Sequence, residues 1–431
     1  MSQTPNAEPL SGDRLTPYQK KLFFFLSVAT FFEGFDFLAL TQILPELRAQ
    51  WGLSKFDGGM LVAFINAGTV LAYLMVRKAD SWGRRRVLTL TIAGYTIFTL
   101  LSGLAPNVEL FAIAQMIARL FLVGEWATTM VIAAEEYPAA RRGFVIGVIQ
   151  GFSSLGSIVC AGVVPLLLAT RSESLGALLV GAHPEYTGLG WRLVYFVGAV
   201  PLVLLAIARR NLKETKRFMQ RTDETRHNIW AIWSSPYRKR LIQLTIVWLV
   251  TYLCTQNAVT FWKEFVLAER GFTKEMVGLI IPIAAVVSMP MVFSVGYLID
   301  KLGRRMGAVV IFVLTALGVL GSYQLYGPLL LGAALTLGIF GASAVLPVLN
   351  AYTTELFPTE FRADAFAWSN NLLGRIGYVL SPIGVGLVAE ATSWGTAVSS
   401  TAIFPLVALT MIWFWLPETT GRELEETSAA L

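Results

Sequence analysis

Ionisable residues interrupt long apolar stretches of the sequence. Glu33 and Asp36 lie in "ATFFEGFDFLAL", Arg119 lies in "ARLFLVGEW" and Arg375 lies in "NNLLGRIGYVL". A carboxylate and a guanidinium in apolar surroundings can form an ion pair, exchange a proton when that pair separates, or bind a charged ligand. These residues are therefore the first candidates for chemistry in this chain.

The composition around them is that of a membrane protein. Of 431 residues, 55% are hydrophobic and 14% are charged, whereas soluble domains carry about 25% charged residues. Twelve apolar runs are each long enough to cross a hydrocarbon core of about 30 Å as a helix. The predicted spans are 21–47, 58–79, 87–105, 109–134, 143–169, 191–208, 240–262, 276–299, 306–323, 329–356, 365–389 and 396–416. The predicted fold class is all-α, with twelve transmembrane helices.

Basic residues collect in loops that share one side of the membrane if the spans alternate. By the positive-inside rule, this side is cytoplasmic and holds both termini. The net charge of +6 then reflects topology, and binding to nucleic acid is disfavoured. We expect a multi-pass protein of the plasma membrane, which in a Gram-negative bacterium is the inner membrane. The predicted divisions are an N-terminal tail (1–20), a six-helix bundle (21–208), a basic linker (209–239), a second bundle (240–416) and a C-terminal tail (417–431).

Two charged motifs occur twice at an offset of 220 residues. "DSWGRRR" begins at Asp80 and "DKLGRRM" at Asp300, while "EEYPAARR" begins at Glu135 and "ELFPTEFR" at Glu355. The copies follow the second and fourth spans of each six-span half. The order and the shared offset predict a duplicated six-helix unit.

These motifs carry a resemblance to a known family. D-x-x-G-R-R after the second and eighth spans, with a long basic linker between the halves, resembles the major facilitator superfamily over essentially the whole chain. "GFD" in the first span, "ELFPTEFR" after the tenth and "PETTGRELEE" after the twelfth resemble its sugar-porter-like branch, which includes aromatic-acid and sugar symporters and organic-ion transporters. The resemblance implies two pseudo-symmetric bundles that rock about a site near the bilayer midplane.

In that scheme the repeated motifs are predicted to act as a gate. Acids and arginines at the cytoplasmic helix ends can bond across the halves in one conformation and lose these bonds in another. The alternative is that the charges serve topology alone. The predicted gate residues are Asp80, Arg84, Arg85, Glu135, Arg142, Asp300, Arg304, Arg305, Glu355 and Arg362.

Helical rise places the intramembrane charges in one layer. Asp36, Arg119 and Arg375 each lie about 20–24 Å from the cytoplasmic ends of their helices. At that depth a charge is costly unless it is paired or faces water. We expect Asp36 and Arg119 to form a pair that is made and broken as a proton is taken up, which the resemblance to proton-linked symporters also implies; a static packing pair is the alternative. Glu33 and Glu125 are expected to relay or share the proton; for Glu125 the alternative is a pair with a neighbouring helix.

Arg375 bears on the substrate, because a buried guanidinium without an acid at its own depth favours a ligand carboxylate. The alternative is a bond to a carbonyl group or to a carboxylate of the N-terminal half. We therefore favour a small organic acid, aromatic acids included. The polar residues expected to share its cavity are Gln150, Tyr252, Gln256, Asn257, Asn370, Asn371 and Tyr378.

Other substrates and functions stay open on the sequence alone. A sugar is disfavoured because Thr251 and Tyr252 occupy the place of a glutamine pair common in sugar carriers. An organic cation could be attracted by Glu33, Asp36 and Glu125. A receptor that does not transport is disfavoured, because the linker and tail leave little room for a signalling domain.

No enzyme class is indicated. The sequence offers no nucleophile with a matching base, no metal-ligand cluster and no phosphate loop, and its 2 Cys and 2 His argue against a metal or other cofactor. The predicted function is a proton-coupled symporter, acting as a monomer on a small molecule in a lipid bilayer.

Overall fold

The structure is a computed structural model and describes residues 15–137, 139–169, 190–209, 212, 214 and 229–420. Within these residues, twelve helices are long and apolar enough to cross a membrane, which confirms the predicted fold class. They are α1 Pro17–Trp51, α2 Lys55–Trp82, α3 Arg84–Leu104, α4 Val108–Glu136, α5 Ala139–Ala169, α6 Gly190–Ala208, α7 (Arg238–Tyr252, Asn257–Thr260 and Trp262–Glu269), α8 Lys274–Leu302, α9 Arg304–Gln324, α10 Pro328–Glu355, α11 (Thr359–Phe366, Ala367–Gly374 and Ile376–Ala391) and α12 (Trp394–Ser400 and Ile403–Trp415).

The glycine of each D-x-x-G-R-R copy reverses the chain between two helices. Gly83 separates α2 from α3 with φ +97°, and Gly303 separates α8 from α9 with φ +91°. A side chain is strained in this region of backbone space, whereas glycine enters it freely. The repeated motif therefore encodes a one-residue turn as well as a set of charges.

Helices α1–α6 form the N-half and helices α7–α12 form the C-half, as two pseudo-symmetric bundles. In the N-half, α1 lies directly against α5 because both carry glycine at the contact. A Cβ on Gly34 would lie 1.8 Å from the carbonyl oxygen of Ser153, and one on Gly156 would lie 1.8 Å from that of Phe31. This backbone contact fixes Glu33, the neighbour of Gly34, against α5.

The two ends of the molecule differ. We call the end where α1 begins and α12 ends the linker end, and the opposite end the distal end. Towards the distal end, α2 and α11 approach so closely that a Cβ on Gly59 would lie 2.3 Å from the carbonyl oxygen of Pro382. Buried apolar residues of α1 and α7, such as Leu44 and Phe261, belong to one cluster there. The halves are therefore closed at the distal end.

Two helices of the C-half are irregular near mid-membrane, where the sequence predicts continuous spans. In α7 the chain leaves the helix between Tyr252 and Asn257. In α11 the segment Ala367–Gly374 is π-helical, and the Arg375 N–H donates to the Asn370 carbonyl at 3.0 Å. π-Helical turns are rare in proteins overall, but those that occur often lie at functional sites. This turn sets the position of Arg375.

Candidate functional site

Asp36 and Arg119 form a buried ion pair inside the N-half. Arg119 Nη2 lies 3.7 Å from Asp36 Oδ2, and the two side chains are 3% and 4% exposed. The Tyr95 side chain also interacts with the Asp36 carboxylate. Asp36 Oδ2 and Arg119 Nε have no hydrogen-bond partner among the described atoms. The pair is thus held by charge attraction without a direct hydrogen bond, which leaves both groups able to take another partner.

Glu33 lies on α1 and is partly buried. Its Oε2 accepts a hydrogen bond from the Ser153 hydroxyl at 2.5 Å. Its carboxylate lies within charge-interaction range of Asp36 and Arg119 and, in the other half, of Arg375. Glu33 is therefore electrostatically connected to both halves.

Glu125 has different partners. It forms a buried ion pair with Arg209, and its Oε2 accepts from the Thr91 hydroxyl at 2.5 Å. Arg209 also donates to the Phe25 carbonyl at 2.6 Å, so it packs within the N-half although the sequence assigned it to the linker. These contacts bind α1, α3, α4 and the end of α6 together rather than placing Glu125 beside Asp36.

Arg375 lies beside a pair of stacked tyrosines. The rings of Tyr252 and Tyr378 stack with centroids 4.1 Å apart, and the Tyr252 hydroxyl donates to Asn370 Oδ1 at 2.7 Å. The same hydroxyl interacts with the Arg375 guanidinium. Arg375 Nε is buried without a hydrogen-bond partner in the described part of the chain. The arginine thus has spare donor capacity next to an aromatic surface.

Two other predicted polar residues of α7 are bonded to α11. Gln256 Nε2 donates to the Tyr378 hydroxyl at 3.3 Å, at the edge of the tyrosine stack. Asn257 Nδ2 donates to the Ser381 hydroxyl at 2.7 Å and is buried. Gln256 therefore borders the candidate site, whereas Asn257 joins the irregular part of α7 to α11.

The remaining predicted polar residues belong to both halves. Gln150 of α5 is exposed and accepts a hydrogen bond from Trp126 Nε1 at 2.9 Å. Asn371 is partly buried in the π-helical turn of α11. In addition, Asn66 of α2 donates across the halves to the Tyr378 carbonyl at 3.1 Å, a contact that the sequence did not indicate.

At the linker end, the predicted gate residues form matching ion pairs in the two halves. Arg84 Nη2 lies 3.1 Å from Glu135 Oε1, and Arg304 Nη2 lies 2.8 Å from Glu355 Oε1. Arg304 also lies 2.5 Å from Asp300. Each of these pairs lies within one half. The duplication predicted from the sequence therefore extends to side-chain geometry.

Each half also has an acid at the start of its third helix. The Glu214 carboxylate accepts from the Arg84 and Arg85 backbone N–H groups at 3.0 and 3.2 Å. Glu418 accepts from those of Arg304 and Arg305, each at 2.9 Å. Burial alone would raise the pKa of Glu418, but these N–H groups and Thr420 outweigh burial and lower it to about 2. An ionised acid at a helix N-terminus is stabilised by the helix dipole.

Three predicted gate residues remain. Arg362 Nη2 lies 3.4 Å from the Phe357 carbonyl, close to its own helix end. The side chains of Asp80 and Arg142 lie outside the described residues.

The sequence did not indicate the network that joins the halves at the distal end. Arg48 Nη1 of α1 lies 2.9 Å from Glu264 Oε2 of α7. Lys263 Nζ lies 3.2 Å from both oxygens of Glu46 and donates to the Gln42 carbonyl. We call Glu46, Arg48, Lys263 and Glu264 the distal ion network. It crosses from one half to the other in two adjacent ion pairs.

A second distal contact fixes α2 to α11. Glu390 Oε2 accepts from the backbone N–H groups of Lys55 and Phe56 at 2.8 and 3.2 Å, and Lys55 Nζ donates to the Ala389 carbonyl at 3.1 Å. The acid lies at the N-terminus of α2, where the helix dipole favours it. The C-half thereby caps a helix of the N-half.

The charges of the distal ion network are costly to bury. Its α7 residues belong to the segment Trp262–Glu269, beyond the membrane-spanning part of α7 (Arg238–Thr260). Burial raises the pKa of Glu264, and Arg48 opposes that rise. Burial lowers the pKa of Lys263, and Glu46 opposes that fall. The charged forms of Glu264 and Lys263 are therefore stabilised in the closed state by Arg48 and Glu46, their partners from the other half.

The residues that the structure describes include no candidate metal site. They contain no group of three or more His, Cys, Asp and Glu that could hold an ion.

Comparisons with known proteins agree on one family. The sequence profile of the Major Facilitator Superfamily matches residues 26–382 and 244–430. The "Probable 4-methylmuconolactone transporter" of Cupriavidus pinatubonensis is 27% identical over 424 residues, covering 96% of this chain and 94% of the relative. The "Cis,cis-muconate transport protein" of Acinetobacter baylyi is 26% identical, covering 87% and 89%. The inward open xylose transporter XylE from E. coli matches with TM-score 0.74 at 17% identity, covering 95% and 99%.

Proposed function

Because the chain belongs to the Major Facilitator Superfamily, we propose that it is a secondary active transporter that carries a small organic acid together with protons. Members of this superfamily are membrane carriers and not enzymes. In the proposed cycle, the bundles 21–208 and 240–416 rock about a central site, which is exposed to one side of the membrane at a time. The protein lies in a plasma membrane, and by the positive-inside rule its basic linker end faces the cytoplasm.

The observation that carries the choice of substrate is the environment of Arg375. Its Nε hydrogen is buried and lacks an acceptor among the described residues, and its neighbours Tyr252 and Tyr378 present a stacked aromatic surface. A guanidinium binds a carboxylate through charge-assisted hydrogen bonds. A planar acid would place its carboxylate on Arg375 and its apolar part against the tyrosines.

Two relatives support the same class of substrate. One is named for transport of cis,cis-muconate and another for transport of 4-methylmuconolactone. Both compounds are small organic molecules, and the first is a carboxylate. These names favour a small organic acid over a sugar or an organic cation for this chain.

The Asp36–Arg119 pair supports coupling to protons. Separation from Arg119 in a dry cavity would leave the Asp36 carboxylate without a counter-ion, and a proton would then be taken up in its place. The 3.7 Å separation and the absence of a direct hydrogen bond favour a pair that separates during the cycle. In this proposal the acid and the proton move in the same direction.

The substrate proposal is tested by ligand-induced thermal stabilisation of the purified protein. The probes are benzoate and benzamide, which have nearly the same shape but differ in charge, with nicotinate and cis,cis-muconate as further acids. Ligand at about 100 times its Kd should stabilise the native state by about 2.7 kcal/mol. We expect stabilisation by at least one acid and none by benzamide.

Two variants complete this test. Arg375→Met should abolish stabilisation by the acid. Arg240→Met is the matched control, because Arg240 lies at the linker end of α7 and donates to the Trp415 carbonyl at 2.7 Å. Stabilisation that persists in Arg375→Met, or that is equal for benzoate and benzamide, would contradict the substrate proposal.

A further inference from the structure

A groove lies between α7 and α12 at the linker end of the C-half. Its volume is 590 Å³, within the range of about 300–1,000 Å³ that is usual for small-molecule sites. Arg238 and Lys239 line its outer part, Ile242 and Ile246 line its inner part, and Trp415 lies on the α12 side. We call this cavity the α7–α12 groove. It is separate from the candidate site, none of whose residues line it.

A side-chain contact holds the two walls of the groove together. Arg240 Nη1 donates to the Trp415 carbonyl at 2.7 Å and lies 3.4 Å from Gln243 Oε1, and Gln243 itself lines the groove. The last residue of α12 is thereby fixed to the first turn of α7. The shape of the groove is therefore set by a specific contact between two helices.

The groove crosses the level at which the helices enter the membrane. The spans Arg238–Thr260 and Trp394–Trp415 begin and end there, respectively. Ile242 and Ile246 lie four and eight residues beyond the start of α7, which is about 6 and 12 Å deeper at 1.5 Å per residue. Phe414 of α12 is 79% exposed, as expected for a side chain that faces hydrocarbon. The outer part of the groove therefore lies at the membrane surface and its inner part among the acyl chains.

The outer part carries positive charge that no described residue neutralises. Arg238 and Lys239 are exposed and form no ion pair with an acid of the described residues, and no such acid lines the groove. A second groove at the linker end, of 970 Å³ beside α3, also has two cations, Arg85 and Arg86, but Glu214 lines it as well. Of these two grooves, the one between α7 and α12 is therefore better suited to an anion.

We propose that the α7–α12 groove binds an anionic phospholipid of the cytoplasmic leaflet. Its phosphate binds to Arg238 and Lys239 through charge-assisted hydrogen bonds, and one acyl chain follows Ile242 and Ile246 into the membrane. The Trp415 ring lies at headgroup level, where tryptophan is enriched in membrane proteins. Basic pockets between helices on the cytoplasmic side are typical sites for anionic headgroups.

The apolar inner part of the groove favours a lipid over a soluble phosphate compound. A soluble anion would contact the two cations and leave Ile242 and Ile246 uncovered, whereas a phospholipid covers both parts. This inference does not depend on which substrate the protein carries.

Native mass spectrometry of the purified full chain tests the site by titration with phosphatidylglycerol or phosphatidylcholine of the same acyl chains. The first lipid has a net negative charge and the second has none, so we expect tighter binding of phosphatidylglycerol. Each cation beside an anionic headgroup contributes a factor of about five in affinity. Arg238→Gln/Lys239→Gln should therefore weaken phosphatidylglycerol binding about 30-fold and leave phosphatidylcholine binding unchanged.

The matched control is Lys20→Gln/Lys301→Gln, which removes two exposed cations of the linker end that do not line the groove. It should bind phosphatidylglycerol as the wild type does. Equal affinity of the wild type for the two lipids, or an equal loss of affinity in the control, would overturn the proposal.

A second measurement needs no variant. Phosphatidylglycerol with a photoactivatable acyl chain should label the wild-type chain within residues 236–246 or beside Trp415. Unlabelled phosphatidylglycerol should suppress this labelling, and glycerol 3-phosphate should not. Labelling only at other segments would overturn the site, and suppression by glycerol 3-phosphate as effective as that by the lipid would assign the groove to a soluble phosphate compound instead.

Discussion

Removal of Arg48 should open the distal end. The distal ion network exists when the halves are closed there, and Arg48 Nη1 lies 2.9 Å from Glu264 Oε2, with side chains 17% and 8% exposed. Breaking a fully buried pair costs about 3–5 kcal/mol, whereas exposed pairs are worth about 0–1 kcal/mol. We take about 2 kcal/mol for this partly buried pair, since Glu264 can also protonate. Arg48→Met should then shift the equilibrium about 30-fold towards the distal-open state.

Glu264 is sensitive to the removal of Arg48 because its side chain is buried. Without Arg48, burial would raise the pKa of Glu264 further, and opening would return the carboxylate to water. Neutralising this acid as well should therefore restore closure. We expect Arg48→Met/Glu264→Gln to lie close to the wild type, although the contact of Arg48 with the Trp394 ring, at 5.5 Å, is also lost.

Distances between two spin labels, measured by electron paramagnetic resonance, can follow the equilibrium between the distal-closed and distal-open states. Spin labels at Pro106 and Leu329, which are exposed at the distal ends of the N-half and C-half, would report a longer distance when that end opens. Glu275→Gln, an exposed acid at the same end, is the matched control. An unchanged distance distribution in Arg48→Met, or a double variant as open as the single one, would refute the reasoning.

Two further predictions concern the centre and the contact of α2 with α11. Asp36→Asn should abolish accumulation of the substrate against its gradient while exchange of substrate across the membrane continues; a variant that still accumulates substrate would remove Asp36 from coupling. Gly59→Trp should prevent distal closure, because even a Cβ there would lie 2.3 Å from the Pro382 carbonyl oxygen. Gly162→Trp, at a position with nothing within 4 Å of an added Cβ, should leave the same spin-label distances unchanged.

The features predicted well from sequence are those set by local periodicity and by the repeat. Apolar run lengths predicted the twelve helices, and the 220-residue offset predicted the duplication. The repeated charges were expected to bond across the halves, whereas Arg84–Glu135 and Arg304–Glu355 each lie within one half. Counting helical rise placed Asp36 and Arg119 at one depth, where the structure pairs them. Such counting works because a membrane helix is nearly straight and its ends are marked by charges.

The features missed depend on tertiary contacts. Glu46 and Arg48 look like ordinary charges near a helix end, and nothing local shows that their partners lie on α7. The one available signal was the pair Lys263 and Glu264 between aromatic residues in "FWKEF", where a buried position would need partners. The π-helical turn before Arg375 was also missed, because it depends on hydrogen bonding that periodicity does not report.

The two cysteines make the chain convenient for the experiments above. Cys160 and Cys254 are free, and neither side chain is exposed in the folded protein. A dye that becomes fluorescent when it reacts with a thiol should therefore give little fluorescence with the native protein. Its fluorescence should rise when the helices separate on heating and the two thiols become accessible. The wild-type chain thus carries its own reporter of unfolding, so ligand panels can be screened without an added label. Cysteines introduced at Pro106 and Leu329 should react selectively without removal of the native ones.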